Sequence, residues 1–140
     1  MSDYTDEIHG YLYEKTLKLS EITGHEFPDV DKIDFLNIIV NQYLFMTFRD
    51  DKPVGFLYAT LFQSVFSKSI KIFMQQSLYA EPGSKAAYLL LKHFLDFGKL
   101  KADHVITMIT PYTSIKGSSL EKLGFTEMET LYRWKNGRRR

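Results

Sequence analysis

The spacing of apolar residues changes period along the chain, and the changes divide it into blocks. Between residues 6 and 22, Ile8, Leu12, Leu19 and Ile22 recur at helical intervals, with Tyr11 and Lys15 between them, which predicts a helix with one buried face. Gly24 suits its C-terminal stop and Pro28 prevents continuation. A second helix is predicted to start at Asp29 or Asp31, either of which can cap it, with Ile33, Leu36, Ile39 and Val40 on one side. The period then shortens. Residues 42–48, rich in Tyr, Phe and Thr, read as a strand. Arg49-Asp50-Asp51-Lys52-Pro53 is a polar turn, and residues 54–65 form a second apolar strand that completes a hairpin. Ser67-Lys68-Ser69 reads as the next turn. Residues 70–80 read as a third strand, with Ile72, Met74, Gln76, Leu78 and Ala80 on one face and Lys71, Phe73, Gln75, Ser77 and Tyr79 on the other.

Glu81-Pro82-Gly83-Ser84 breaks that strand. Residues 84–99 then carry Ala86, Ala87, Leu90, Leu91, Phe94 and Phe97 as a wide apolar stripe, which predicts the clearest helix of the chain. Residues 105–109 are a short apolar run, expected to return parallel to the third strand through a right-handed helical crossover. Residues 114–123 read as a short helix ended by Gly124 as a left-handed cap, and residues 125–134 as a final strand. The order α, α, β, β, β, α, β, α, β predicts an α+β fold, a central mixed and mostly antiparallel sheet flanked by helices. Residues 1–135 are expected to form a single domain and residues 136–140 a basic, mobile tail.

Composition narrows the function classes. The 140 residues carry a formal net charge of +1, which gives no large positive surplus for neutralising phosphates, so a nucleic-acid partner is not expected. The absence of cysteine excludes disulfides, thiolate metal sites and cysteine nucleophiles. His9, His25, His93 and His104 show no ligand spacing, so no metal is expected. The first fifteen residues have no apolar signal core, and no apolar run approaches the ~20 residues of a membrane span, so no membrane partner is expected and a cytoplasmic location is the expectation.

Two stretches carry a family resemblance. One is the strand-turn-helix from Met74 through Gly83-Ser84-Lys85-Ala86-Ala87-Tyr88; the other is Ser118-Ser119-Leu120-Glu121-Lys122-Leu123-Gly124-Phe125 with its Leu-Gly-Phe ending. With the element order, and with Asp51-Lys52-Pro53-Val54-Gly55-Phe56 as a preceding hairpin, residues 43–134 resemble the GNAT (GCN5-related N-acetyltransferase) superfamily. The run Gly-Ser-Lys-Ala-Ala-Tyr looks like that of short phage-encoded members. The resemblance implies the GNAT fold, acetyl-CoA as cofactor and an amine acceptor, small molecule or protein. It places cofactor binding at Leu78, Tyr79, Ala80, Gly83, Ser84, Lys85, Ala86, Ala87 and Tyr88. The family pattern is Gln/Arg-x-x-Gly-x-Gly/Ala. Laid on residues 82–87, it is matched by Ala87 alone; Pro82 replaces the Gln or Arg, and Lys85 the first Gly.

Physical chemistry supports that placement independently. A helix entered through a Gly-rich turn points unpaired amides and about half a positive charge at one spot, which suits a diphosphate. Small residues there serve close packing equally well. For the transfer step, the resemblance implies an oxyanion-stabilising amide in the stretch 76–78. Its usual base, a strand Glu, is absent from residues 70–80, where Gln75 and Gln76 are the polar amides. Gln76 is the candidate for orienting substrate or water. The family's Tyr acid falls on Leu120, which leaves Ser119 or Tyr112 as candidate acids. The two readings are an N-acetyltransferase and a catalytically inactive GNAT-fold binding or virion-associated phage protein.

Overall fold

The computed structural model describes residues 6–23, 43–108, 115–128 and 134. Its elements run α1 (Asp6–Thr23), β1 (Tyr43–Arg49), β2 (Lys52–Ser64), β3 (Ser67–Ala80), α2 (Ala86–Lys101), β4 (His104–Ile106) and α3 (Gly117–Leu123). The strands form one sheet in the order β1-β2-β3-β4. β1, β2 and β3 pair antiparallel, and β4 pairs parallel to β3, from Ile72 opposite His104 to Met74 opposite Ile106. The α+β class, the mixed sheet and the parallel return through α2 all match the sequence reading.

Several boundaries move for identifiable reasons. The second hairpin turns at Val65-Phe66, and Ser67–Ser69 belong to β3. α2 begins at Ala86 because Gly83 and Lys85 both sit in the left-handed region (φ 75° and 61°), which an α-helix cannot contain. α3 begins at Gly117 and stops at Gly124, which takes φ 102° as the left-handed cap; the amides of Gly124 and Phe125 close the last turn onto Glu121 and Leu120 carbonyls. Residues 125–128 form no strand. The second helix, the His25-Glu26 pair, Tyr112, residues 129–133 and the tail lie outside the described residues.

The sheet is covered on both faces, which is why Gly55–Ala59 of central β2 is continuously buried. On one side Leu57, Ala59 and Phe73 pack under Ala86, Ala87, Leu90, Leu91 and Phe94 of α2, with Ile115 and Leu120. On the other, Phe56, Tyr58 and Tyr79 pack under Leu12 of α1.

β3 contains a bulge. Tyr58 lies opposite Ser77 and Ala59 opposite Gln75, so Gln76 is an extra residue with no partner across the ladder. Side chains change phase there: Phe73 and Leu78, five apart, both face the α2 core, while Tyr79 faces α1. This corrects the uninterrupted alternation expected for residues 70–80.

Candidate functional site

β3 and β4 run together only as far as Met74 and Ile106. Beyond them Thr107 and Met108 are unpaired, and the β4-facing edge of β3 has no strand partner among the described residues. Among the described residues the sheet thus opens as a wedge beside the bulge. At its apex the Thr107 hydroxyl donates to the Gln75 side-chain carbonyl. Gln75 is buried, whereas Gln76, the sequence candidate, is exposed. The bulge decides which of the two amides is held inside.

The loop after β3 is built from short bonds. The Glu81 amide donates to Val54, the Ser84 amide to Glu81 and the Ser84 hydroxyl to the same Glu81 carbonyl at 2.6 Å. Ser84 Oγ also accepts the Ala86 amide at 3.2 Å, and the Arg49 guanidinium donates to the Ser84 carbonyl at 2.8 Å. Ser84 is therefore buried and occupied in holding the turn. Ala86 and Ala87 are buried under the sheet, and a Cβ on Gly55 would come within 2.9 Å of the Tyr79 carbonyl and 3.1 Å of Ala86 Cβ. These small residues serve close packing of α2 on β2. Gly83, Lys85 and Tyr88 are exposed around the start of α2. The first-turn amides of Ala87 and Tyr88 precede any intrahelical acceptor and point out of the helix start.

Leu78 and Ala80 pack against the α2 core, and Tyr79 turns to α1. A ligand in the wedge would meet this stretch through its backbone. Ser119 is half-buried on α3 with its amide bonded to Lys116, and Leu120 is in the core.

A cluster that sequence reasoning missed sits on the α1 side of the loop. Glu81 accepts from Tyr11 at 3.3 Å and from Tyr79 at 3.1 Å, and Lys15 Nζ lies 3.6 Å from its carboxylate. Lys15 also lies 5.7 Å and 5.6 Å from the Tyr11 and Tyr79 ring centroids. Signals existed in the i, i+4 pair Tyr11/Lys15 and the i, i+2 pair Tyr79/Glu81, but nothing local joins α1 to β3 across seventy residues. Burial, reinforced by the Glu81 charge, holds the Tyr11 phenol well above its ordinary value. Burial and the Glu81 hydrogen bond raise Tyr79. Burial pulls Lys15 down, but Tyr79, Glu81 and Glu14 outweigh it and leave it raised.

All three groups keep their protons longer when folded. Their contribution to stability is complete below the unfolded values, near pH 10, and is lost as pH rises through the folded ones. Urea melts across the alkaline range should show a decline above about pH 10 that is shallower in Tyr11→Phe. An identical decline in both proteins would mean that the cluster does not couple to folding.

Among the described residues no group of three or more His, Asp or Glu could hold a metal ion, and no helix is long and apolar enough to cross a membrane. No family model and no curated protein matches the chain. Solved structures do. A probable acetyltransferase superposes with TM-score 0.70 at 17% identity, over 95% of this chain and 93% of that one. The aminoglycoside acetyltransferase meta-AAC0020, from an uncultured soil metagenomic sample and in complex with sisomicin, gives 0.67 at 11% identity, over 95% and 91%. The aminoglycoside acetyltransferase AAC(6')-Iy, in complex with a CoA-containing bisubstrate analogue, gives 0.59 at 17% identity, over 80% and 82%. At these identities the likeness concerns the fold: the chain has the architecture of the GNAT acetyltransferases.

Proposed function

We propose that the chain transfers an acetyl group from acetyl-CoA to an amine. The observation that carries this reading is the wedge between β3 and β4, which opens beside a bulge in the strand that leads into α2. In this reading the diphosphate of the cofactor lies against the amides of Ala87 and Tyr88, with Lys85 adding a point charge and Gly83 leaving room. Arg49, anchored on the Ser84 carbonyl, supplies a second nearby cation that the sequence reading did not include. The amide-bearing pantetheine arm would enter the wedge and pair with the open backbone edge of residues 76–80, which would place the acetyl thioester beside the bulge.

The amine nitrogen attacks the thioester carbon, and the carbonyl oxygen becomes an oxyanion stabilised by an amide of the 76–78 stretch. The adduct collapses with loss of the coenzyme thiolate, which takes up a proton, while the nitrogen gives one up. Ser119 and Tyr112 are the candidates to supply the thiolate's proton, and Gln76, at the bulge, to orient the amine or a water. Positioning the reactants supplies most of the rate. The aminoglycosides bound by structural relatives make an amino-bearing small molecule the first acceptor to try.

A second reading, a binding protein without turnover, is favoured by one observation: Leu120, at the position of the family's Tyr acid, is buried in the core and cannot donate.

Calorimetric titration with acetyl-CoA, followed by a thiol-release assay with aminoglycosides and simple primary amines, tests both. Binding with slow turnover that rises with pH as free amine accumulates supports the enzyme. Ser119→Ala should then lower kcat by less than ~100-fold, because general acid assistance typically contributes ~10²–10⁴-fold and no strong acid is in place. Absence of acetyl-CoA binding would overturn the transferase reading and leave the binding protein.

A further inference from the structure

The end of the sheet opposite the wedge carries an unusual hairpin tip. Val65 is 89% exposed and Phe66 96%, and Phe62 beside them is partly exposed. Among the described residues, β2 beyond Ala59 pairs only with β3, and β3 before Ile72 pairs only with β2, so the tip stands on a two-stranded arm.

The turn breaks the chemistry its position calls for. The β1–β2 hairpin turns through Asp50 and Asp51 at φ 52° and 64°, as a tight two-residue turn requires. Val65 and Phe66 are not among the described residues with positive φ, and the ladder slips beside them, from Gln63 opposite Lys71 to Ser64 opposite Ser67. The Ser64 hydroxyl accepts the Phe66 amide at 3.2 Å and props the turn. Two large apolar side chains are thus held outward where polar turn formers would be less costly.

Lysines surround the tip. Lys68 and Lys71 are exposed on the arm. The Asp103 carboxylate accepts the Lys71 amide, and the Asp103 amide donates to the Lys71 carbonyl, both at 2.9 Å, which brings the end of α2 with exposed Lys99, Leu100 and Lys101 to the same side. Leu100 is 83% exposed. Among the described residues of this end, four lysines face one aspartate, in a chain whose net charge is only +1.

We propose that the Val65-Phe66 tip is a peripheral docking point for an anionic lipid surface, with Phe66 and Val65 entering the interface and Lys68, Lys71, Lys99 and Lys101 meeting the headgroups. A lipid surface fits better than a protein partner because the apolar element is convex and two residues long. A stable protein interface needs about 800 Å² per partner, whereas a bilayer interface needs only apolar insertion plus opposite charge. The lack of a spanning helix does not bear on such a contact. Docking this end leaves the wedge facing away from the lipid.

Flotation of the full chain with vesicles in low-salt buffer tests this, without cofactor or substrate. Vesicles of phosphatidylcholine mixed with an equal part of phosphatidylglycerol should carry the protein up; vesicles of phosphatidylcholine alone should not. Phe66→Ser should reduce the bound-to-free ratio by ~10-fold or more, and Lys68→Gln and Lys71→Gln by about five-fold each, since a lysine near an anionic surface contributes ~1 kcal/mol. Raised salt should weaken binding. Because these side chains are exposed, unchanged urea midpoints will show that the variants fold. No flotation with either vesicle, or equal flotation of parent and Phe66→Ser, would overturn the proposal. So would failure to float together with a dimer in light scattering that Phe66→Ser dissociates, which would assign the tip to a second copy of the chain.

Discussion

Phe94→Ala is expected to destabilise the chain by about 3–5 kcal/mol, and Leu90→Ala by about 2–5 kcal/mol. Phe94 is fully buried, stacks on Phe73 at 5.0 Å between centroids and meets Phe45 edge-on at 6.4 Å. Its removal deletes these ring contacts and leaves a cavity between α2 and three strands. The surrounding rings are themselves interlocked: Phe97 lies 5.4 Å from Tyr43, 5.7 Å from Phe45 and 5.6 Å from Phe73. Close-packed aromatic groups collapse poorly into a void, which argues for the upper part of the range. Leu90 is the contact above Gly55 that seats the first turns of α2, so its loss should also loosen the loop. Urea melts measure both. A loss below ~1 kcal/mol for each would mean that α2 does not cover the sheet.

The second large effect separates charge from conformation at Gly83. A Cβ there meets nothing within 4 Å, so the only obstacle to a side chain is the φ of 75°. Asn and Asp tolerate that region better than other residues and have nearly the same shape. Gly83→Asn should therefore bind acetyl-CoA much as the parent does. Gly83→Asp should bind it ~10–100-fold more weakly, because a carboxylate about 5 Å from a phosphate costs about 3 kcal/mol at a surface-like dielectric before salt screening. Folding should change the other way, since a negative charge at a helix start is favourable. Asp should melt no earlier than Asn in urea. Equal dissociation constants for the two variants would place the cofactor away from α2.

The periodic blocks of the sequence led to the sheet order and the crossover because each element exposes its period locally. The apolar stripe of α2, the continuous apolar run of β2 and the Gly124 stop need no distant partner to be read. What escaped were features that depend on one residue out of step or on contacts far apart in the chain. The bulge at Gln76 cannot be seen in a run of alternating residues, and it exchanged the fates of Gln75 and Gln76. The turn at Val65-Phe66 defies turn chemistry, so Ser67-Lys68-Ser69 drew the assignment. Ser84, Ala86 and Ala87 suited both a phosphate and a tight packing contact, and Gly55 on another strand shows what Ala86 packs against. Lys85 occupies a left-handed position that a glycine pattern would have announced.

Gln76 has a further consequence for how β3 tolerates change. A regular strand imposes one rule along its whole length: every second position must stay apolar, and the rest are free. Here the rule changes parity midway. Toward α2 the constrained positions are Phe73 and Gln75 before the bulge and Leu78 and Ala80 after it, and Tyr79 becomes the constrained position toward α1. β3 is thus two half-strands joined out of phase, one serving the ring cluster beneath α2 and the other the mouth of the wedge. Losing the single residue Gln76 would bring the halves back into phase and turn Tyr79 and Glu81 away from Tyr11 and Lys15, a larger change than any substitution at that exposed position.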